Sequence, residues 1–91
     1  MSLPDLQKDT AYCCDVVRAM EDLATLASEL TRETFERSPV HQFAVYHLLT
    51  VIGEASGNVS EHLRDEFPDV PWRQMKGMRN ILVHKIGRAH V

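Results

Sequence analysis

In the run Gly77-Met78-Arg79-Asn80-Ile81-Leu82-Val83-His84, a guanidinium, a carboxamide and an imidazole fall within six consecutive positions, separated by aliphatic residues. Arginine grips phosphate with a rigid fork of donors, and histidine is the side chain best suited to move protons near neutral pH. Asparagine can orient either partner. Together these groups suit chemistry on a phosphodiester. Cleaving such a linkage requires one group that moves protons and another that stabilises charge on the phosphoryl oxygens. His84 is the candidate base or acid, and Arg79 the candidate phosphate clamp.

Helix geometry constrains this reading. At about 100° per residue, Arg79 and His84 lie roughly 140° apart, whereas Asn80 and His84 lie roughly 40° apart. One helix would struggle to aim both Arg79 and His84 at one phosphate. A symmetric dimer relieves the difficulty by supplying two imidazoles, one as base and one as acid. Bland readings stand beside the chemical one. Arginine and histidine near a helix end are commonly solvated or interacting with its carbonyl dipole. Asn80 reads equally well as a local hydrogen bonder. Glu54, on a largely apolar helix, reads either as an orienting partner for Arg79 or for a partner subunit's arginine, or as a surface carboxylate, because burying a lone carboxylate is costly.

The elements that must position these groups are helical. Leu6, Cys13, Val17, Met20, Ala24 and Ala27 recur at three- and four-residue spacing, which predicts a long first helix with that stripe buried. Asp9, Asp15, Arg18 and Glu21 fall on its other faces. Thr31 to Phe35 predicts a short capped turn with Phe35 in the core. Ser38-Pro39 is a hydroxyl cap followed by proline at the first helical position, opening a second helix to about Val59. Gly53 in its middle implies a close helix crossing. Ser60 to Arg64 begins a short helix closed by Phe67-Pro68, and Asp69-Val70-Pro71-Trp72 is a tight connector. Pro71 opens a third long helix running unbroken to His84, with Trp72, Met75, Met78 and Leu82 as its apolar stripe. No segment alternates like a strand. The predicted architecture is all-α, three main helices and two short ones.

Composition sets limits on function. The chain has 91 residues, 44% hydrophobic and 25% charged, with a net charge of −3. That size suits one small domain, and the acidic balance excludes a bulk-electrostatic nucleic-acid binder. Any such chemistry must come from a focused site or a second subunit. Cys13 and Cys14 are adjacent, so they offer neither a disulfide framework nor metal-ligand spacing. His41, His47 and His62 form no metal pair. The start lacks a signal-sequence pattern and no apolar run reaches membrane-spanning length, so a cytoplasmic protein is expected.

Three stretches carry a family resemblance. Leu49-Thr50-Val51-Ile52-Gly53-Glu54-Ala55 looks like a Leu-x-Ile-Ile-Gly-Glu-Ala helix. Phe67-Pro68-Asp69-Val70-Pro71-Trp72 resembles a Tyr-Pro-Asp-Ile-Pro-Trp connector, and residues 77–84 match Gly-Met-Arg-Asn-x-x-x-His. In this order they resemble the HepT-like branch of the HEPN superfamily, helical ribonuclease toxins of bacteria and archaea. The resemblance implies a HEPN-like up-and-down helical bundle over residues 1–84 that forms a homodimer. It implies RNA cleavage without metal or cofactor at a cleft where two Arg-x4-His motifs meet, in a type VII-like toxin–antitoxin system. It further implies an MntA-like nucleotidyltransferase antitoxin as partner, which attaches AMP units to a tyrosine two residues after the motif histidine. Here that position is Ile86. The heptapeptide Lys85-Ile86-Gly87-Arg88-Ala89-His90-Val91 reads like a short-read sequencing adapter translated in one frame. On that reading residues 85–91 are a non-native tail, and a carboxy-terminal helix is missing. Two other expectations stay open: a noncatalytic HEPN-type module that docks a nucleotidyltransferase or a nucleotide, and a nonfunctional fragment.

Overall fold

The computed structural model describes residues 2–81. His84, Leu82, Ile86 and the heptapeptide 85–91 lie outside the described residues. The chain is built from helices α1 (Leu3–Glu29), α2 (Arg32–Arg37), α3 (Pro39–Asn58), α4 (Glu61–Glu66), α5 (Trp72–Lys76) and α6 (Met78–Ile81), with no strand among the described residues. The expectation of an all-α bundle is met.

Hydroxyl caps set the starts of the first four helices. Ser2 accepts from the Asp5 amide, Thr31 and Thr34 form a reciprocal capping box, Ser38 accepts from the His41 amide, and Ser60 accepts from the Leu63 amide. Each such cap satisfies a backbone donor that the first turn leaves unpaired and is worth about 0.5–2 kcal/mol. Pro39 follows Ser38 at the start of α3, as its fixed φ favours.

Helix α3 is the central element, touching α1, α2, α5 and α6. Ile52, Gly53, Ala55 and Ser56 of its second half are buried. Ile52 and Ala55 join Val16 and Ala19 of α1 and Met75 of α5 in the core, with Tyr12, Leu23, Leu49 and Met78 packed around it. The wide apolar arc of α3 is explained by this contact with several neighbours at once.

The buried face of α1 differs from the expected one. Leu6, Val17 and Met20 are exposed, Ala24 and Ala27 likewise, and Cys13 is half-buried. The inward residues are Val16 and Ala19, one position earlier. The helix carries two neighbouring apolar stripes, and spacing alone does not say which one docks. Small Ala19 admits a close approach to the α3 ridge of Ile52 and Ala55, which decides it. Phe35 is half-buried and outside the core cluster, so its expected place in the core is also corrected.

Asp9, expected on a solvent face, is buried at 3% exposure. Its carboxylate accepts from the Ser60 amide at 2.8 Å and from the Ser60 hydroxyl at 2.6 Å. Since Ser60 caps α4, Asp9 ties the start of α4 to α1. The paired donors stabilise the ionised form, and the side-chain bond from Ser60 is the largest influence holding the Asp9 carboxyl below its ordinary value.

The connector from α4 is tight, as expected. The Val70 amide donates to the Phe67 carbonyl at 3.2 Å, and the Trp72 amide to the Val70 carbonyl at 2.8 Å. The Trp72 indole donates to the same Phe67 carbonyl at 3.0 Å. Pro71 stands one residue ahead of α5, at its cap. The third long helix is not continuous. It ends at Lys76, turns at Gly77, and resumes at Met78. The Asn80 amide donates to the Gly77 carbonyl at 3.0 Å, a three-residue turn in place of the α-helical pattern. Glycine is a poor helix former, and this one yields where α3 presses closest.

Candidate functional site

The site grows from that crossing. A β-carbon at Gly53 would lie 3.3 Å from the Lys76 carbonyl oxygen and 3.4 Å from the Arg79 amide nitrogen. Only glycine lets the α3 backbone approach the α5–α6 junction so closely, as the sequence implied. One residue on, Glu54 leaves the crossing toward solvent. Its Oε1 lies 3.6 Å from Arg79 Nη1, and both side chains remain more than half exposed, at 59% and 58%. Glu54 is therefore both a surface carboxylate and the ion-pair partner of Arg79.

Beside this pair lies an open hollow of about 800 Å³ between the second half of α3 and the α5–α6 junction. Gly53 and Gly57 line it from α3 together with Glu54 and Asn58. Arg73, Lys76, Gly77, Arg79 and Asn80 line it from the other side. Its formal charge is three cations against one carboxylate, an excess of two positive charges on a chain whose total is −3. A concave surface lined with one sign of charge concentrates oppositely charged ligands. This hollow suits a phosphate-bearing chain.

Of the four expected site residues, Glu54, Arg79 and Asn80 come together at this hollow, and His84 lies outside the described residues. Asn80 is exposed, and its main chain closes the turn after Gly77. Arg73, Lys76 and Asn58 were not singled out in the sequence. The recurrence of Arg73, Lys76 and Arg79 at three-residue intervals is a signal that could have found the two bases. Among the described residues, no group of three His, Cys, Asp or Glu side chains is placed to hold a metal ion. His41 Nδ1 is 2.6 Å from the Ser38 hydroxyl, and His62 pairs with Glu66 at 3.0 Å, so both have local partners. No helix among the described residues is long and apolar enough to cross a membrane.

An all-helical bundle is the architecture expected of a HEPN-type ribonuclease domain. Comparison with known proteins agrees. The Ribonuclease HepT-like family model matches residues 16–87, and the chain belongs to that family. A Methanocaldococcus jannaschii protein provisionally named an RNase is 35% identical over 75 residues, which are 82% of this chain and 69% of that one. A Thermococcus cleftensis protein provisionally named ribonuclease HepT is 37% identical over 73 residues, 80% of this chain and 66% of that one. A third relative, from Caldanaerobacter subterraneus subsp. tengcongensis and also provisionally named an RNase, is 31% identical over 74 residues, 81% of this chain and 66% of that one. The chain thus spans about two thirds of the length of these relatives. No solved structure matches it.

Proposed function

We propose that the chain is an endoribonuclease that cuts RNA through Arg79 and His84 at the cleft of a homodimer. The observation that carries the reading is the Arg79 guanidinium held by Glu54 at the mouth of an electropositive hollow, in a chain of the HepT-like ribonuclease family. Arg79 holds the scissile phosphate and stabilises the charge that grows on its oxygens. One imidazole takes the 2′-hydroxyl proton as that oxygen bonds to phosphorus. As the bond from phosphorus to the 5′-oxygen breaks, the second copy's imidazole delivers a proton to it. The products are a 2′,3′-cyclic phosphate and a 5′-hydroxyl. Glu54 and Asn80 orient Arg79 and the substrate. The exposed apolar side chains Val17 and Met20 of α1, and Phe43 and Tyr46 of α3, supply surface of the kind that a second copy buries. In this reading the protein is the toxin of a type VII-like toxin–antitoxin pair, and its partner is an MntA-like nucleotidyltransferase.

Cleavage of labelled RNA by the purified chain in excess chelator tests the proposal. The wild type should release products ending in a cyclic phosphate, and His84→Ala should lose about 10²–10⁴-fold in rate, the usual contribution of a proton-transfer group. Undiminished cleavage by a folded His84→Ala protein would refute the assignment. A wild type that binds the nucleotidyltransferase but never cleaves RNA would establish a noncatalytic docking module instead.

A further inference from the structure

Arg73 and Lys76 differ from the ion-paired bases, and unlike Lys8, Arg18 and Arg64, which are also unpaired among the described residues, they line the same hollow as Arg79. Arg32 and Arg37, on the exposed helix α2, are paired with Glu36 and Glu33, and Arg79 is paired with Glu54. Neither Arg73 nor Lys76 has a carboxylate within 4.0 Å among the described residues. Both are exposed, and both line the hollow that Arg79 enters. The stem of Lys76 is nevertheless placed. A β-carbon at Gly57 would sit 3.4–3.6 Å from its Cγ, Cδ and Cε, so the methylenes rest against bare α3 backbone while the ammonium faces out. A lysine held by its stem and engaged in no salt bridge among the described residues is prepared to receive a phosphate.

We propose that Arg73 and Lys76 form a phosphate track, holding the linkages of a single RNA strand on one side of the bond held at Arg79. The inference rests on the reading of this hollow as the RNA-cleaving site and assigns the substrate's course through it. The strand follows the hollow from Arg79 past Lys76 and then Arg73. The track is short. Arg73 and Lys76 also border a second hollow that carries Glu61, Arg64 and Asp65, where the carboxylates oppose a further phosphate. The ligand recognised is a sugar–phosphate backbone, and these bases confer no sequence preference.

The test is binding of the full chain to a fluorescent single-stranded octanucleotide with 2′-deoxy sugars, which lacks the nucleophile and stays intact. Affinity is measured by anisotropy across a salt series. Each phosphate contact on a single strand contributes about 0.7 to the slope of log affinity against log salt. The double variant Arg73→Gln/Lys76→Gln should therefore shallow the slope by about 1.4 and, at 0.1 M salt, bind about 25-fold more weakly than wild type. The variant Arg32→Gln/Arg37→Gln removes the same charge from α2 and should leave the slope as it is. An unchanged slope in the first variant, an equal change in both, or no binding by the wild type overturns the track. Parallel cleavage of the matching ribo-octanucleotide separates the two ideas. Wild-type cleavage with an unaltered slope removes the track and spares the ribonuclease reading. Track-dependent binding without any cleavage removes the ribonuclease reading and spares the track.

Discussion

Replacing Gly53 with alanine and, separately, Gly57 with alanine should shift stability in opposite directions, although the two residues lie one turn apart on the same helix. In a helix interior, alanine is favoured over glycine by about 1 kcal/mol. At Gly53 the new methyl would meet main-chain atoms, the Lys76 carbonyl at 3.3 Å and the Arg79 amide at 3.4 Å. Backbone cannot swing aside as a side chain can, so the α5–α6 junction must retreat by a few tenths of an ångström. Overpacking of this kind costs about 1–3 kcal/mol, which leaves Gly53→Ala about 1 kcal/mol less stable than wild type. At Gly57 the neighbours are Lys76 methylenes at 3.4–3.6 Å, an ordinary contact with a flexible chain. Gly57 is the penultimate residue of α3, so the gain there is about 0.5 kcal/mol, half the interior value. The two variants should thus differ by about 1.5 kcal/mol, or roughly 6–12 °C in thermal midpoint for a domain of this size. Thermal melts followed by circular dichroism read this directly. Because Arg79 itself is displaced, RNA cleavage by Gly53→Ala should fall about tenfold, given that a 1 Å misplacement can cost about 10²-fold. A Gly53→Ala protein melting above the wild type and cleaving RNA at the wild-type rate would refute the reasoning.

Four further outcomes follow from the packing and the charges. Asp9→Asn should remove part of the stability's dependence on pH. The Asp9 pKa is held below the ordinary 3.8 by Ser60, so the unfolded chain binds the extra proton first. The stabilisation is complete above that value and lost as pH falls through the lower folded one, so the gap in melting temperature between wild type and variant should close below about pH 3.8. Glu54→Gln should alter stability by less than about 1 kcal/mol, since the ion pair is half exposed, whereas Arg79→Lys should lower kcat/KM about 10²-fold because an ammonium cannot reproduce the guanidinium fork. Ile52→Ala, which empties a site with 0% exposure, should cost about 2–5 kcal/mol, and a broadened or absent thermal transition would register it.

What was legible from residue order alone was largely what depends on neighbours in the chain. Ser38-Pro39 and Ser60 announce helix starts because a cap and the amide it satisfies lie within three residues. Gly53 announces a crossing, because a glycine inside an apolar helix has little other reason to be there. The Arg79–Glu54 pairing was one of two readings left open, and the structure brings the two side chains together. The phase of α1 was not legible. Leu6, Val17 and Met20 obey helical spacing as well as Val16 and Ala19 do, and only the shape of α3 selects between them. Asp9 was misplaced for a related reason. A carboxylate among polar neighbours reads as solvated unless its partner is known, and Ser60 lies 51 residues away.

The helical class, the positions of the caps and the set of groups able to act on a phosphodiester are written in residue order, because each follows from local backbone preference and side-chain chemistry. It takes the packed bundle to show that Gly77 interrupts the last helix, that Glu54 meets Arg79, and that Arg73 and Lys76 face the same hollow. Those outcomes depend on how closely α3 approaches the α5–α6 junction. That distance is set by packing between segments remote in the chain, and no local preference encodes it.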